Sequence, residues 1–237
     1  MTYMLMPLDT HFDIGFGAVA ESFKLASDAI SSTHSELLGL NSHLPASFLY
    51  RHAIELFLKS GIIIFHRKFK LPFDQESPDS EPKVLVNGKW KRMYDVHGLK
   101  DLYSYLSSIV SSQIPYLVTN TRCSDWSFSA KLDTWITEID ATDSTSTFFR
   151  YPVTKHAEND KNKWAHKKGN FEDMISKIGE GSKPLKAFLV LGENDEITSA
   201  FQHDDELSKA MFITLKSAAD YLYCFHAAMR WELTGGL

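Results

Sequence analysis

Residues 48–65 read Phe-Leu-Tyr-Arg-His-Ala-Ile-Glu-Leu-Phe-Leu-Lys-Ser-Gly-Ile-Ile-Ile-Phe, and no other stretch of the chain constrains the fold so strongly. A helix drawn through it carries apolar side chains on almost every side, so it must be enclosed by other elements. Pro45 suits a first helical turn, where its missing N–H would have no partner, and the pattern predicts a helix over 45–68. Arg51, His52, Glu55 and Lys59 interrupt the apolar run. Those charges argue against a membrane span, and residues 1–9 lack the basic start of a signal peptide, so a cytoplasmic protein is expected.

The flanking sequence repeats the helical period. Phe16, Val19, Ala20, Phe23, Ala26 and Ile30 predict a helix over 12–32. Leu99, Leu102, Tyr103, Leu106, Ile109 and Val110 predict another from about 97, with Asp95 as its cap and an end before Pro115. Trp126, Leu132, Trp135 and Ile139 mark a fourth over 124–139. Leu207, Met211, Leu215, Ala218, Leu222, Phe225 and Met229 then form a seam along a last helix capped by Asp204, and such a seam needs a partner helix. Between these lie two hairpin signals. Asn87-Gly88, between 83–86 and 89–92, supplies the two positive-φ positions of a type I′ turn. Residues 185–191 and 196–201 flank a Gly-Glu-Asn-Asp turn, after a short helix near 171–178. The segment 153–169 reads as a hydrophilic loop. The fold expected is a mainly α antiparallel helical bundle, a single domain over 1–237, with a hairpin insertion near 83–92 and a loop and hairpin insertion near 153–203.

Composition narrows function without naming it. With 25 Lys and Arg against 30 Asp and Glu, the chain carries a formal charge of -5, so a uniformly basic, duplex-gripping coat is excluded. Two cysteines, Cys123 and Cys224, support neither a disulfide framework nor a zinc site. No Gly-rich phosphate loop, Gly-x-Ser-x-Gly or His-Glu-x-x-His motif is present. His156 and His166, ten apart with lysines between, are a poor metal pair, so no metal or cofactor is expected.

Three constellations remain. Arg51, His52, Glu55 and Lys59 recur at three- and four-residue spacing and can converge, either as an internal ion-pair network or as the wall of a site. Four residues separate Arg92 from His97 and five separate Arg150 from His156, each pair near aromatic residues. Guanidinium clamps phosphate oxygens and imidazole moves protons near neutral pH, though surface arginines and capping histidines give the same spacing. The second pair opens residues 150–168, where six basic residues face two acids in an otherwise acidic chain. Lys155, Lys161, Lys163, Lys167 and Lys168 there would steer a phosphate backbone, and Trp164 would stack on a base.

The runs Tyr50-Arg51-His52-Ala53-Ile54-Glu55-Leu56-Phe57-Leu58-Lys59, His97-Gly98-Leu99-Lys100-Asp101-Leu102 and Phe149-Arg150-Tyr151-Pro152 together resemble the successive helix signatures of HEPN-like domains. The resemblance covers about 44–152 plus the last helix. It implies a small helical bundle, often dimeric. Active members of that superfamily are metal-independent endoribonucleases of toxin-antitoxin, phage-defence and RNA-processing systems that use an Arg-x4-6-His motif. On that likeness Arg150 and His156 are the first choice for the catalytic pair and Arg92 and His97 the second. The expected partners are RNA, a second copy of the chain and a cognate protein. Non-catalytic members imply a rival, a binding or regulatory module or a subunit of a larger complex.

Overall fold

The computed structural model describes residues 2–32, 42–155, 157–176 and 186–237. Its helices are α1 (Phe16–Ser32), α2 (His43–Phe69), α3 (Leu99–Asn120), α4 (Ala130–Asp143), α5 (Ala157–Asp160), α6 (Phe171–Ser176) and α7 (Glu206–Thr234). The strands are β1 (Lys83–Val86), β2 (Lys89–Arg92), β3 (His166–Gly169), β4 (Ala187–Leu191) and β5 (Ile197–His203). The protein is mainly helical, with two small antiparallel sheets.

As its all-round apolar pattern requires, α2 lies at the centre, and α1, α3 and α7 pack on it. Tyr50, Ile54, Phe57, Leu58, Ile62, Ile63, Ile64 and Phe65 are buried there. Each such side chain contributes about 1.5–3 kcal/mol by leaving water. The seam on α7 meets this core: Leu215, Ala218, Leu222 and Met229 are buried within the chain, while Leu207 at its start is exposed. The seam's partner is therefore internal, and it gives no support to a dimer.

The first hairpin forms as the Asn-Gly signal dictates. Asn87 and Gly88 both have positive φ, 51° and 74°, and the register runs from Lys83 opposite Arg92 to Val86 opposite Lys89. Val84 and Val86 face the core.

Several boundaries differ from the sequence pattern for identifiable reasons. The first helix begins at Phe16, because Asp13 accepts from the Gly15 and Gly17 N–H groups (3.1 and 2.7 Å) and anchors the turn before it. Pro115 does not end α3, which continues to Asn120. The proline sits on the exposed face, so the Ser111 carbonyl that it leaves unpaired can meet water, and continuation buries Leu117. Asp95 does not cap α3; Gly98 stands at the cap position and Asp95 pairs with Arg92 instead. The fourth helix starts later, at Ala130, where the Ser129 hydroxyl accepts from the Leu132 N–H at 3.3 Å. Asp205, not Asp204, precedes α7, and Asp204 pairs with Lys167.

The second sheet has the order β3-β5-β4. The expected second hairpin is β4 with β5, from Ala187 opposite Gln202 to Leu191 opposite Ile197 with a bulge at Val190/Leu191. Within the segment read as a loop, His166-Lys167-Lys168-Gly169 adds to the other side of β5 as β3. Four residues with no apolar alternation gave no strand signal; the ladder offered by β5 decides the matter.

Candidate functional site

Arg51, Glu55 and Lys59 of α2 form a connected network. Arg51 is fully buried, and its Nη1 donates to Glu55 Oε2. Lys59 Nζ donates to Glu55 Oε1 at 2.8 Å. Arg51 Nη2 donates to the His97 carbonyl, and Arg51 Nε lies 3.6 Å from Asp143 Oδ2. Burial alone would raise the Glu55 carboxyl, but the Lys59 and Arg51 cations and hydrogen bonds from Lys59 and His97 hold it below its ordinary value. Of the two readings of this stripe, the ion-pair network describes Arg51 and Lys59; neither presents its charge to solvent.

The network reaches the surface at His97. Its Nδ1–H donates to Glu55 Oε1 at 3.0 Å, while the side chain is 51% exposed. An ionised carboxylate on Nδ1 fixes the orientation of the ring. Arg92 does not join it. The Arg92 side chain is exposed and its Nε pairs with Asp95 Oδ2 at 2.9 Å. The Arg92 and His97 pair thus divides, with one member in a surface ion pair and the other on Glu55.

Arg150 is brought to the same end of α2 by Asp143. Asp143 Oδ1 accepts from the Thr147 and Phe148 N–H groups (2.7 and 3.0 Å), fixing the turn that carries Arg150, while its other oxygen faces Arg51. The Arg150 guanidinium then lies 5.5 Å from the Phe48 ring centre and 6.0 Å from that of Tyr151, exposed. His52 stacks on the same Phe48 ring at 5.9 Å and meets Phe23 edge-on at 4.6 Å. Burial holds the His52 pKa below its usual value; Arg51, Lys59 and Arg150 add to the lowering and Glu55 opposes it. The imidazole is neutral at neutral pH. An open guanidinium and a neutral imidazole therefore share one aromatic platform. His156, the expected partner of Arg150, lies outside the described residues.

The basic segment is less basic than its composition. Lys163 is buried, not solvent-facing as an RNA-binding role requires, with Nζ 2.6 Å from Asp160 Oδ1, 2.9 Å from the Tyr151 carbonyl and 4.5 Å from the Phe148 ring centre. Its ammonium closes the loop against the core. Lys161 pairs with Glu158 and Lys167 with Asp204, both at 2.8 Å. Lys155 and Lys168 are exposed, and Trp164 is half-buried. On its other side the Arg150 turn walls a cavity of about 230 Å³ with Phe148, Phe149, Asn159, Asn162 and His43.

One polar cluster escaped the sequence reading. Asp13 Oδ2 accepts from Ser60 Oγ and lies 3.6 Å from His226 Nε2, and all three residues are buried. Tyr3 packs between the His11 ring (4.3 Å) and the Arg230 guanidinium (4.0 Å). The carboxylate, not the imidazole, contacts the hydroxyl, so this is no nucleophilic triad. The Asp13-x3-Gly17 cap was its one legible trace.

Among the described residues, no helix is long and apolar enough to cross a membrane, and no three His, Cys, Asp or Glu side chains converge as a metal-ligand group. No protein-family model, curated protein or solved structure matches this chain.

Proposed function

We propose that the chain is an HEPN-like helical protein that acts on RNA, cutting it without a metal ion at the end of α2 where Arg150 and His52 share the Phe48 ring. The observation that carries this reading is the open guanidinium beside a neutral imidazole. Arg150 holds the phosphoryl oxygens and stabilises the charge that grows on them. His52 accepts the proton of the ribose 2′-hydroxyl as its oxygen bonds to phosphorus, and the 5′-oxygen leaves with a proton from solvent, giving a 2′,3′-cyclic phosphate. His97, oriented by Glu55, is a second imidazole at this end of the helix, and His156 follows Arg150 closely in sequence. Lys155 and Lys168 add positive charge for the backbone. Function in a toxin or phage-defence setting belongs to the same reading.

A second reading, a non-catalytic RNA-binding or regulatory module, is favoured by a separate observation: carboxylates engage the site-wall Arg51 and the motif candidate Arg92, leaving Arg150 as the open guanidinium of the three. One experiment separates them. Purified protein is incubated with RNA in EDTA beside Arg150→Ala, His52→Ala, His97→Ala and His156→Ala variants, with RNA binding measured in parallel. The nuclease reading expects cleavage that drops roughly 100-fold or more on losing the base. Wild-type cleavage no faster than that of the Arg150→Ala, His52→Ala double variant ends it. RNA binding that persists without cleavage, and weakens in Arg150→Ala, supports the module.

A further inference from the structure

The two outer strands of the second sheet differ in chemistry. β3 carries Lys167 and Lys168, and lysines along an edge discourage pairing with another strand. β4 reads Ala-Phe-Leu-Val-Leu, with no charge, proline or polar side chain. All five residues are exposed, Phe188 by 60% and Leu191 by 54%, and Ile197 on neighbouring β5 extends the apolar surface. Among the described residues, β5 alone pairs with β4. At its ends the His203 N–H donates to the Lys186 carbonyl and the Gly192 N–H to the Glu196 carbonyl, both at 2.8 Å. Alternation along a strand then turns the N–H and C=O groups of Ala187, Leu189 and Leu191 outward.

We propose that this edge is the docking surface for a second copy of the chain, the two β4 strands pairing antiparallel about a two-fold axis at Leu189. Such pairing sets Ala187 opposite Leu191 and Leu189 opposite itself, so the outward backbone groups meet in register. Apolar residues face apolar residues across the whole contact. The flanking charges select the direction. Lys186 precedes the strand and Glu193 follows it. Antiparallel pairing brings each lysine toward the other copy's glutamate, whereas parallel pairing would bring lysine to lysine. The contact joins the two copies in a closed pair and leaves β3, protected by its lysines, as the outer edge on each side. It lies on the insertion and does not depend on the reading of Arg150 and His52.

The test uses the full-length protein in a Cys224→Ser background, with Leu189→Cys compared with Lys168→Cys on the opposite edge. Directly opposed residues of an antiparallel pair have Cα atoms about 4.5–5.5 Å apart, within disulfide reach. Mild oxidation should link Leu189→Cys into dimers faster than Lys168→Cys by roughly an order of magnitude or more. Light scattering on the wild type should give twice the 26.9 kDa chain mass at micromolar concentration. Leu189→Lys should return it to the monomer with its helical circular dichroism unchanged, since the side chain is exposed. A wild-type monomer at every concentration, a dimer that survives Leu189→Lys, open-ended aggregates in place of a dimer, or equal cross-linking on both edges would each overturn the proposal.

Discussion

Two largely buried polar clusters are satisfied to different degrees. On α2, Arg51 and Lys59 are bound to Glu55 and Arg51 also to the His97 carbonyl, and the atoms there without a hydrogen-bond partner among the described residues, Arg51 Nε and Asp143 Oδ2, lie 3.6 Å from each other. In the cluster of Tyr3, His11, Asp13, His226 and Arg230, both His11 nitrogens, the Tyr3 hydroxyl, His226 Nε2 and Arg230 Nε find no hydrogen-bond partner among the described residues. The first set lies on one helix at i, i+4 spacing, so α2 itself delivers donor to acceptor. The second is assembled from the segment before α1, from α2 and from α7, and ring packing positions it more than hydrogen bonding does. A buried donor without a partner costs about 1–3 kcal/mol, so the two clusters should respond oppositely to losing a polar atom.

The largest effect is expected at Glu55. Glu55→Gln leaves Arg51 and Lys59 buried without their shared counter-charge, and breaking a buried pair in this way destabilises by about 3–5 kcal/mol, measurable by urea unfolding. A loss below about 1 kcal/mol would show that water reaches the network.

Acid titration separates that network from a third buried group. His66 lies in neither cluster; Nδ1–H donates to the Leu71 carbonyl and Nε2 accepts from the Tyr105 hydroxyl, and burial pushes its pKa down to about 4 against a weaker opposing effect of the Leu71 carbonyl. The folded protein thus binds fewer protons at this site than the unfolded chain, so stability falls as pH drops from about 6.5 toward 4, by ~3 kcal/mol in all. His66→Phe should flatten that limb. Glu55 and Asp13 have folded pKa values below their ordinary ones, so their contributions are complete above those ordinary values and fade only at lower pH. Glu55→Gln should therefore alter the more acid limb and leave the His66 limb in place.

A smaller loss tests how tightly the second cluster is drawn. A Cβ on Gly17 would stand 2.1 Å from His226 Nε2 and 2.7 Å from Asp13 Oδ2. Gly17→Ala must push the pair apart and should cost about 1–3 kcal/mol. The smallest effect, and the sharpest contrast with Glu55, is His11→Leu. It removes two unpartnered nitrogens at similar volume, so stability should stay level or rise by about 1 kcal/mol in the same urea assay.

What the sequence disclosed follows from where the determining contacts lie. Asn87-Gly88 and the apolar run 48–65 specify local geometry and can be read directly. So can the seam from Leu207 to Met229, though periodicity alone does not say whether its partner is α2 or another copy. Pro115 misled because a proline's effect depends on whether the freed carbonyl reaches water, and β3 was hidden because β5, some thirty residues later, creates it. At the site, the charged face of α2 was legible from spacing. The hydrogen bond from His97 to Glu55 and the sharing of Phe48 by His52 and Arg150 join residues far apart in sequence, and the cluster around Tyr3 brings together three separate parts of the chain.

The central position of α2 also governs how the chain comes apart. Its main packing partners arrive from both sides of it in sequence, α1 before it, α3 and α7 after it, with the last following the small second sheet. A protease nick in the turn between β4 and β5 would therefore leave two pieces that stay associated, because the C-terminal fragment holds the helix that closes the core of the other. Neither piece would carry a complete interior alone, so the two would act as mutual folding templates when mixed.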